Sequence, residues 1–198
     1  MISSRTGKVR RFFLPVILPA VLAGGVAVWA CVEHEEGRHH FSRVARGVLY
    51  RSRQPDAENL DGLARRNIRL VVNLRTREED PPTFDWEKSA CAQRGATMVN
   101  IPVVTALPTD AQIAEFLRVI RANPAATLVH CEMGRSRTGA MVAAYRVVAE
   151  GASPAAALAE AAVHNPTLSP REKADLEAML KSLHENRAGW LARTAPRS

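Results

Sequence analysis

Cys131 and Arg137 stand with five residues between them in the stretch LVHCEMGRSRTGAMVAAY, which occupies residues 128–145. An apolar run precedes the cysteine and a second follows the arginine, so the stretch is predicted as buried strand, loop and buried helix. Such a turn brings main-chain N–H groups and a helix amino terminus to one point, which is an oxyanion site. Gly134 permits the tight backbone turn inside it. Arg137 offers a planar fork that matches two phosphate oxygens. Cys131 heads the same loop, where the helix dipole and the guanidinium both stabilise negative charge on sulfur. Nucleophile and anion cradle coincide, as covalent phosphoryl transfer requires. The cradle itself is predicted from Glu132, Met133, Gly134, Arg135, Ser136 and Arg137.

The elements that must position this loop alternate along the chain. Residues 41–44 and 48–52 read as short strands around a turn at Arg46 and Gly47. Asp56 can cap a helix running to about residue 66, with Leu60 and Leu63 on its inner face. Residues 70–74 form a continuous apolar run, as expected of a strand covered on both faces. A helix over 84–94 ends at Gly95, and a strand follows over 97–101. Thr109 and Gln112 form a capping box for a helix over 109–122, where Ile113, Phe116, Leu117 and Ile120 recur at helical spacing. A buried strand over 127–130 leads into the loop, and a helix over 138–150 leaves it. That helix is apolar almost all round, which places it at the centre of the domain. Ser153-Pro154 and Ser169-Pro170 with Glu172 start two more. The fold class is therefore α/β, a central, mostly parallel sheet flanked by helices.

The run from His130 to Thr138 reads HCEMGRSRT and resembles the HCxxGxxRT signature of the protein tyrosine phosphatase superfamily, in its dual-specificity branch. Two upstream segments, LYRSRQP at residues 49–55 and VVNLR at 71–75, resemble the opening of compact bacterial, fungal and plant members. Some of those hydrolyse inositol pyrophosphates. The resemblance spans roughly residues 41–165. It implies that Cys131 attacks phosphorus to form a phosphocysteine, which water then hydrolyses. It also implies that Arg137 and the loop amides stabilise the transition state. Thr138 or Ser136 would donate a hydrogen bond to the sulfur, and His130 would brace the loop. The substrate would be a phosphorylated protein or an inositol or lipid phosphate. No metal or organic cofactor is implied.

The general acid departs from the family pattern. Members commonly carry an aspartate on the loop after the strand that corresponds to residues 97–101, to protonate the leaving oxygen. Here residues 102–109 contain no acid, and Asp110 is the first one met. A carboxylate in the first turn of a helix is equally explained by the helix dipole. Glu132 is the second candidate, and an enzyme with neither would prefer leaving groups that need no proton. Cys91 reads as a small core residue, with a resolving partner for Cys131 as the alternative.

Composition bounds the rest. At 198 residues there is room for one well-buried domain, and 46% hydrophobic with 24% charged residues excludes wholesale disorder. Four of the positive charges behind the net +7 lie in residues 1–11, and the remaining arginines are scattered without a basic stripe, which speaks against nucleic acid. Three cysteines without a CxxC pair make neither a disulfide framework nor a zinc site. Residues 12–32 carry no charge and are long enough to cross a bilayer. They are predicted as a transmembrane anchor, with the catalytic domain on the exported side, periplasmic or extracellular. A cleaved signal, with secretion, is the alternative. A linker over 33–40, a phosphatase domain over 41–187 and a tail over 188–198 complete the division; oligomeric state is left open. Two other readings compete: a membrane-tethered phosphate reader without turnover, and a sulfurtransferase or arsenate reductase. Gly134, Thr138 and the segments around Arg51 and Arg75 point away from the second.

Overall fold

The computed structural model describes residues 41–195. Its sheet has five strands in the order β1-β2-β5-β3-β4. β1 (Ser42–Ala45) and β2 (Leu49–Ser52) form an antiparallel hairpin, turned at Gly47 with φ 71°. β5 (Ala126–His130) then pairs in parallel with both β2 and β3 (Ile68–Asn73), and β3 with β4 (Thr97–Asn100). The mostly parallel sheet expected from the alternating pattern is present. β5 lies at its centre and every one of its residues is buried.

Alternation along the central strands builds two cores. Val71 and Leu128 face Leu60, Leu63, Ala90 and Cys91 on one side. Val72 and Val129 face Ile113, Phe116, Met141 and the remaining helices on the other. The first side is covered by α1 (Ala57–Asp61) and α2 (Pro81–Gln93). The second is covered by α3 (Asp110–Ala122), α4 (Ser136–Tyr145), α5 (Pro154–His164), α6 (Pro170–Glu185) and α7 (Arg187–Arg193). Helices on both faces explain why these strands are continuously apolar.

Several elements differ from the pattern reading. The helix expected over 56–66 is α1 followed by a 3-10 turn over Ala64–Arg66, because Gly62 ends the first and Asn67 adopts a left-handed φ of 53°. α2 starts earlier than expected, since Asp80 caps it through the Thr83 amide and proline opens its first turn. The helix after the loop begins at Ser136 and runs from Tyr145 into a π turn over Arg146–Glu150, stopped by Gly151 in the left-handed region. Residues placed in the tail include α7, whose Trp190 is only 3% exposed. Arg121 Nη1 donates to Leu191 O and Thr194 Oγ1, both at 2.9 Å, and holds this end of the chain against α3.

The expected transmembrane anchor is corrected here, and with it membrane partnership and an exported location. Among the described residues no helix is long and apolar enough to cross a membrane. The longest, α6, has 16 residues, a rise of about 24 Å against a hydrocarbon core of about 30 Å. It also carries Arg171, Lys173, Asp175, Glu177 and Lys181. The stretch 12–32 that prompted the expectation lies outside the described residues.

Candidate active site

The loop after β5 leaves the sheet at its carboxyl edge, where α/β folds gather ligands. Cys131 is 2% exposed and lies in the core on the α3–α7 side. Among the described residues, none of the main-chain N–H groups of 132–137 meets a protein acceptor. α4 starts at Ser136 without a side-chain cap. Uncapped amides at a helix amino terminus favour an anion.

The loop is moored to the end of β2. Gln54 N donates to Glu132 O at 2.9 Å, and Arg51 Nη2 donates to Gly134 O at 2.7 Å. Gly134 has φ 67°, and a Cβ there would stand 2.6 Å from Ser52 O and 2.8 Å from Arg53 N. Only glycine fits both the backbone angle and the space. Of the other residues placed in the cradle, Glu132 and Met133 are exposed, whereas Arg135, Ser136 and Arg137 are half-buried. Ser136 Oγ accepts from Asn165 Nδ2 at 3.2 Å. Thr138 Oγ1 is buried with no hydrogen-bond partner.

His130, at the end of β5, is fully buried, with Nε2 2.7 Å from Oε1 of the equally buried Glu87 on α2. Its Nδ1 lies 3.3 Å from Cys131 O. Glu87 Oε2 accepts from Gln54 Nε2 and Asn73 Nδ2, both at 2.8 Å. Burial pushes the Glu87 carboxyl up, but His130 and these hydrogen bonds more than offset it and hold it below its ordinary value. The chain of contacts continues. Arg75 Nη1 donates to Gln54 Oε1 at 3.0 Å, and Arg75 Nε to Glu79 Oε2 at 3.3 Å. Glu79 in turn takes both Nη1 and Nη2 of Arg137, at 2.5 and 3.0 Å. One line of side chains thus runs from the residue before Cys131 to Arg137.

Arg137 and Glu79 face a cavity of about 340 Å³, lined also by Thr76, Val104, Thr105, Ala106 and Ser136. Hydrogen bonding from Arg137 pulls the Glu79 carboxyl down to about 2. Asp110 is not brought to this place. It is exposed in the first turn of α3 and lines a separate cavity with Ser182, Glu185, Asn186, Trp190 and Arg193. Cys91 belongs to the α1–α2 core, apart from Cys131, and burial pushes its thiol up to about 12. Sequence reasoning missed Glu79, Glu87 and the inward course of Arg51. For Glu79 a signal existed: Arg75 and Glu79 have i, i+4 spacing just beyond the carboxyl end of β3. Glu87 gave none, because a glutamate in a mixed-polarity helix reads as solvent-facing.

A cysteine heading an amide-lined loop that an arginine closes, between the central strand and a buried helix, defines the protein tyrosine phosphatase class. Residues 22–178 match the family model described as DSP-PTPase phosphatase fused to NAD+ kinase. The chain belongs to that family, a dual-specificity-type branch of the phosphoric monoester hydrolases. It is 35% identical over 85 residues to a beta-lactamase hydrolase-like protein of Xylella fastidiosa, covering 42% of this chain and 20% of that protein. It is 31% identical over 115 residues to the dual specificity protein phosphatase TpbA of Pseudomonas aeruginosa, covering 57% of this chain and 49% of TpbA. The chain thus spans half or less of the length of these relatives. The crystal structure of a cysteine-to-serine form of P. aeruginosa TpbA in complex with phosphotyrosine superposes with a TM-score of 0.59 at 25% identity, over 75% of this chain and 90% of that one.

Proposed function

We propose that the protein hydrolyses aryl phosphate monoesters, phosphotyrosine in a protein foremost, through a phosphocysteine on Cys131. The observation that carries this reading is the moored loop itself, with Cys131 at its head and Arg137 at its close. The Cys131 sulfur attacks phosphorus in line; the S–P bond forms as the P–O bond to the leaving group breaks, and that electron pair departs on the leaving oxygen. Water then attacks phosphorus, the S–P pair returns to sulfur, and inorganic phosphate leaves. Loop amides and the Arg137 fork hold the three equatorial oxygens through both steps. His130, braced by Glu87, fixes the strand end from which the cysteine emerges. Ser136 and Thr138 supply hydroxyls beside the loop.

The substrate class follows from what lines the cavity. Among the described residues that line it, Glu79 is the one carboxylate, and in its pair with Arg137 it is ionised and has no proton to give a leaving group. Phenols depart with far less help than alkyl alcohols. Arg137 is the one cation among the described residues of the lining, whereas a polyphosphorylated inositol needs several. Val104, 82% exposed at the rim, offers apolar surface to a ring. TpbA, whose solved complex holds phosphotyrosine, supports the same choice.

The test is turnover of para-nitrophenyl phosphate, a phosphotyrosine peptide, a phosphoserine peptide and a phosphatidylinositol phosphate by the reduced full chain, beside Cys131→Ser. The expected result is aryl phosphates turned over fastest and all turnover lost in the serine variant. Faster hydrolysis of the phosphoserine peptide or the lipid would overturn the substrate class. A folded, reduced chain that hydrolyses none of them is a phosphate reader.

A further inference from the structure

Among the described residues Arg51 is the largest fully buried side chain, at 1% exposure. It sits on β2, paired in register with Val129 of β5, two residues before Cys131. Its face of the strand is the one that carries Leu49 into the α3–α7 core, and Gly139 of α4 lies against the guanidinium. One end of the fork is used: Nη2 donates to Gly134 O at 2.7 Å. That bond turns a loop carbonyl inward and away from the anion face. The other end is not used, since Nη1 is buried and finds no acceptor in the protein.

The charge is unmatched as well as the hydrogen bond. Arg51 makes no ion pair among the described residues. Glu160, whose field it feels most, is already held by Arg146 in a bidentate pair at 2.8 and 3.1 Å. Arg146 is itself a repelling cation. A guanidinium withdrawn from water without a partner is strongly disfavoured, so a fold that keeps one there draws an anion towards it. Cys131 lies on the same side of the sheet, two residues beyond the Val129 that pairs with Arg51. Burial accordingly pushes the Arg51 guanidinium down to about 10, with Glu160 and then Cys131 pulling the other way.

We propose that Arg51 is a positioning residue for the phosphate loop and the fixed, buried counter-charge of the Cys131 thiolate, a second cation beneath the loop that never touches substrate. It aligns Gly134 through its hydrogen bond and stabilises the reactive sulfur through its charge. Arg137 faces the phosphate from outside; Arg51 neutralises the nucleophile from within. The proposal rests on Cys131 being the nucleophile, so its test is read on the sulfur rather than on turnover.

The experiment compares the full chain with Arg51→Lys, which keeps the charge, and Arg51→Gln, which keeps a donor and loses the charge. Thermal unfolding first establishes that each variant is folded. Iodoacetamide alkylation of Cys131 is then followed by mass spectrometry of its tryptic peptide at pH 6 and pH 9. The expected result is alkylation about tenfold slower at pH 6 in Arg51→Gln, and within about twofold of the parent at pH 9. Arg51→Lys should recover most of the pH 6 rate. Arg51→Met asks the same question if the glutamine variant does not fold. A folded neutral variant that alkylates like the parent at pH 6 would overturn the proposal, even if turnover has fallen. Loss of turnover on Cys131→Ser with that same outcome would leave the phosphatase reading standing and remove only Arg51.

Discussion

At the scale of single residues, two positions carry sharp consequences. Gly134→Ala must place a methyl group 2.6 Å from Ser52 O at a φ of 67°. The strain should cost about 2 kcal/mol or more in thermal unfolding, and a displaced loop should lower turnover about a hundredfold. Glu79 occupies the Arg137 fork, which under the proposed function receives the phosphate. Glu79→Gln removes a competing anion, so inorganic phosphate should inhibit the variant about fivefold more tightly, the worth of a partly exposed ion pair. The same pair has a signature in pH. The folded carboxyl lies near 2 against an ordinary 4.5, so its stabilisation is complete above about pH 4.5 and lost as pH falls towards 2. Melting curves of parent and Glu79→Gln should therefore converge in acid. A gap that persists at pH 2 would contradict this.

At the scale of elements, α2 is held to the sheet by one buried carboxylate. Glu87 joins α2 to β5 through His130, to β3 through Asn73 and to the segment after β2 through Gln54. Glu87→Ala strands two buried polar partners, His130 and Asn73, and the half-buried Gln54, and denaturant titration should show a loss of about 3–5 kcal/mol. The elements were unequally legible in the sequence. β5, the loop and α4 are contiguous, so the two apolar runs and the signature between them could be read together in the sequence. α3 was legible because its capping box and apolar stripe are local. Glu87 and Arg51 were not, since each is a charged residue whose burial depends on distant parts of the chain, and the pairing of exposed Glu79 with Arg137 spans 58 positions. A glutamate reads as solvent-facing until the sheet that covers it is known. Asp110 shows the converse: a local rule put an acid at a helix start, while tertiary structure put that start at another cavity.

At the scale of the whole molecule, both faces of the sheet are closed, and the last described helix completes one of them. Trp190 packs into the α3–α7 core although it lies in residues read as a tail. Trp190→Ala should cost about 3–5 kcal/mol in unfolding. The loop is held from β2 and α2 rather than from α7, so KM should stay within about twofold for the folded fraction. A variant whose melting is unchanged would show that α7 adds nothing to the core.

The mooring of the loop to residues 51–54 also constrains how this chain can vary. Position 134 contributes the missing side chain, Ser52 and Arg53 the backbone that fills its place, and Arg51 the donor that orients its carbonyl. These residues are 83 positions apart at the hydrogen bond, yet neither segment tolerates a change that the other does not match. Loops transplanted from relatives should therefore succeed only when the β2 end travels with them, and the two segments form a single heritable module.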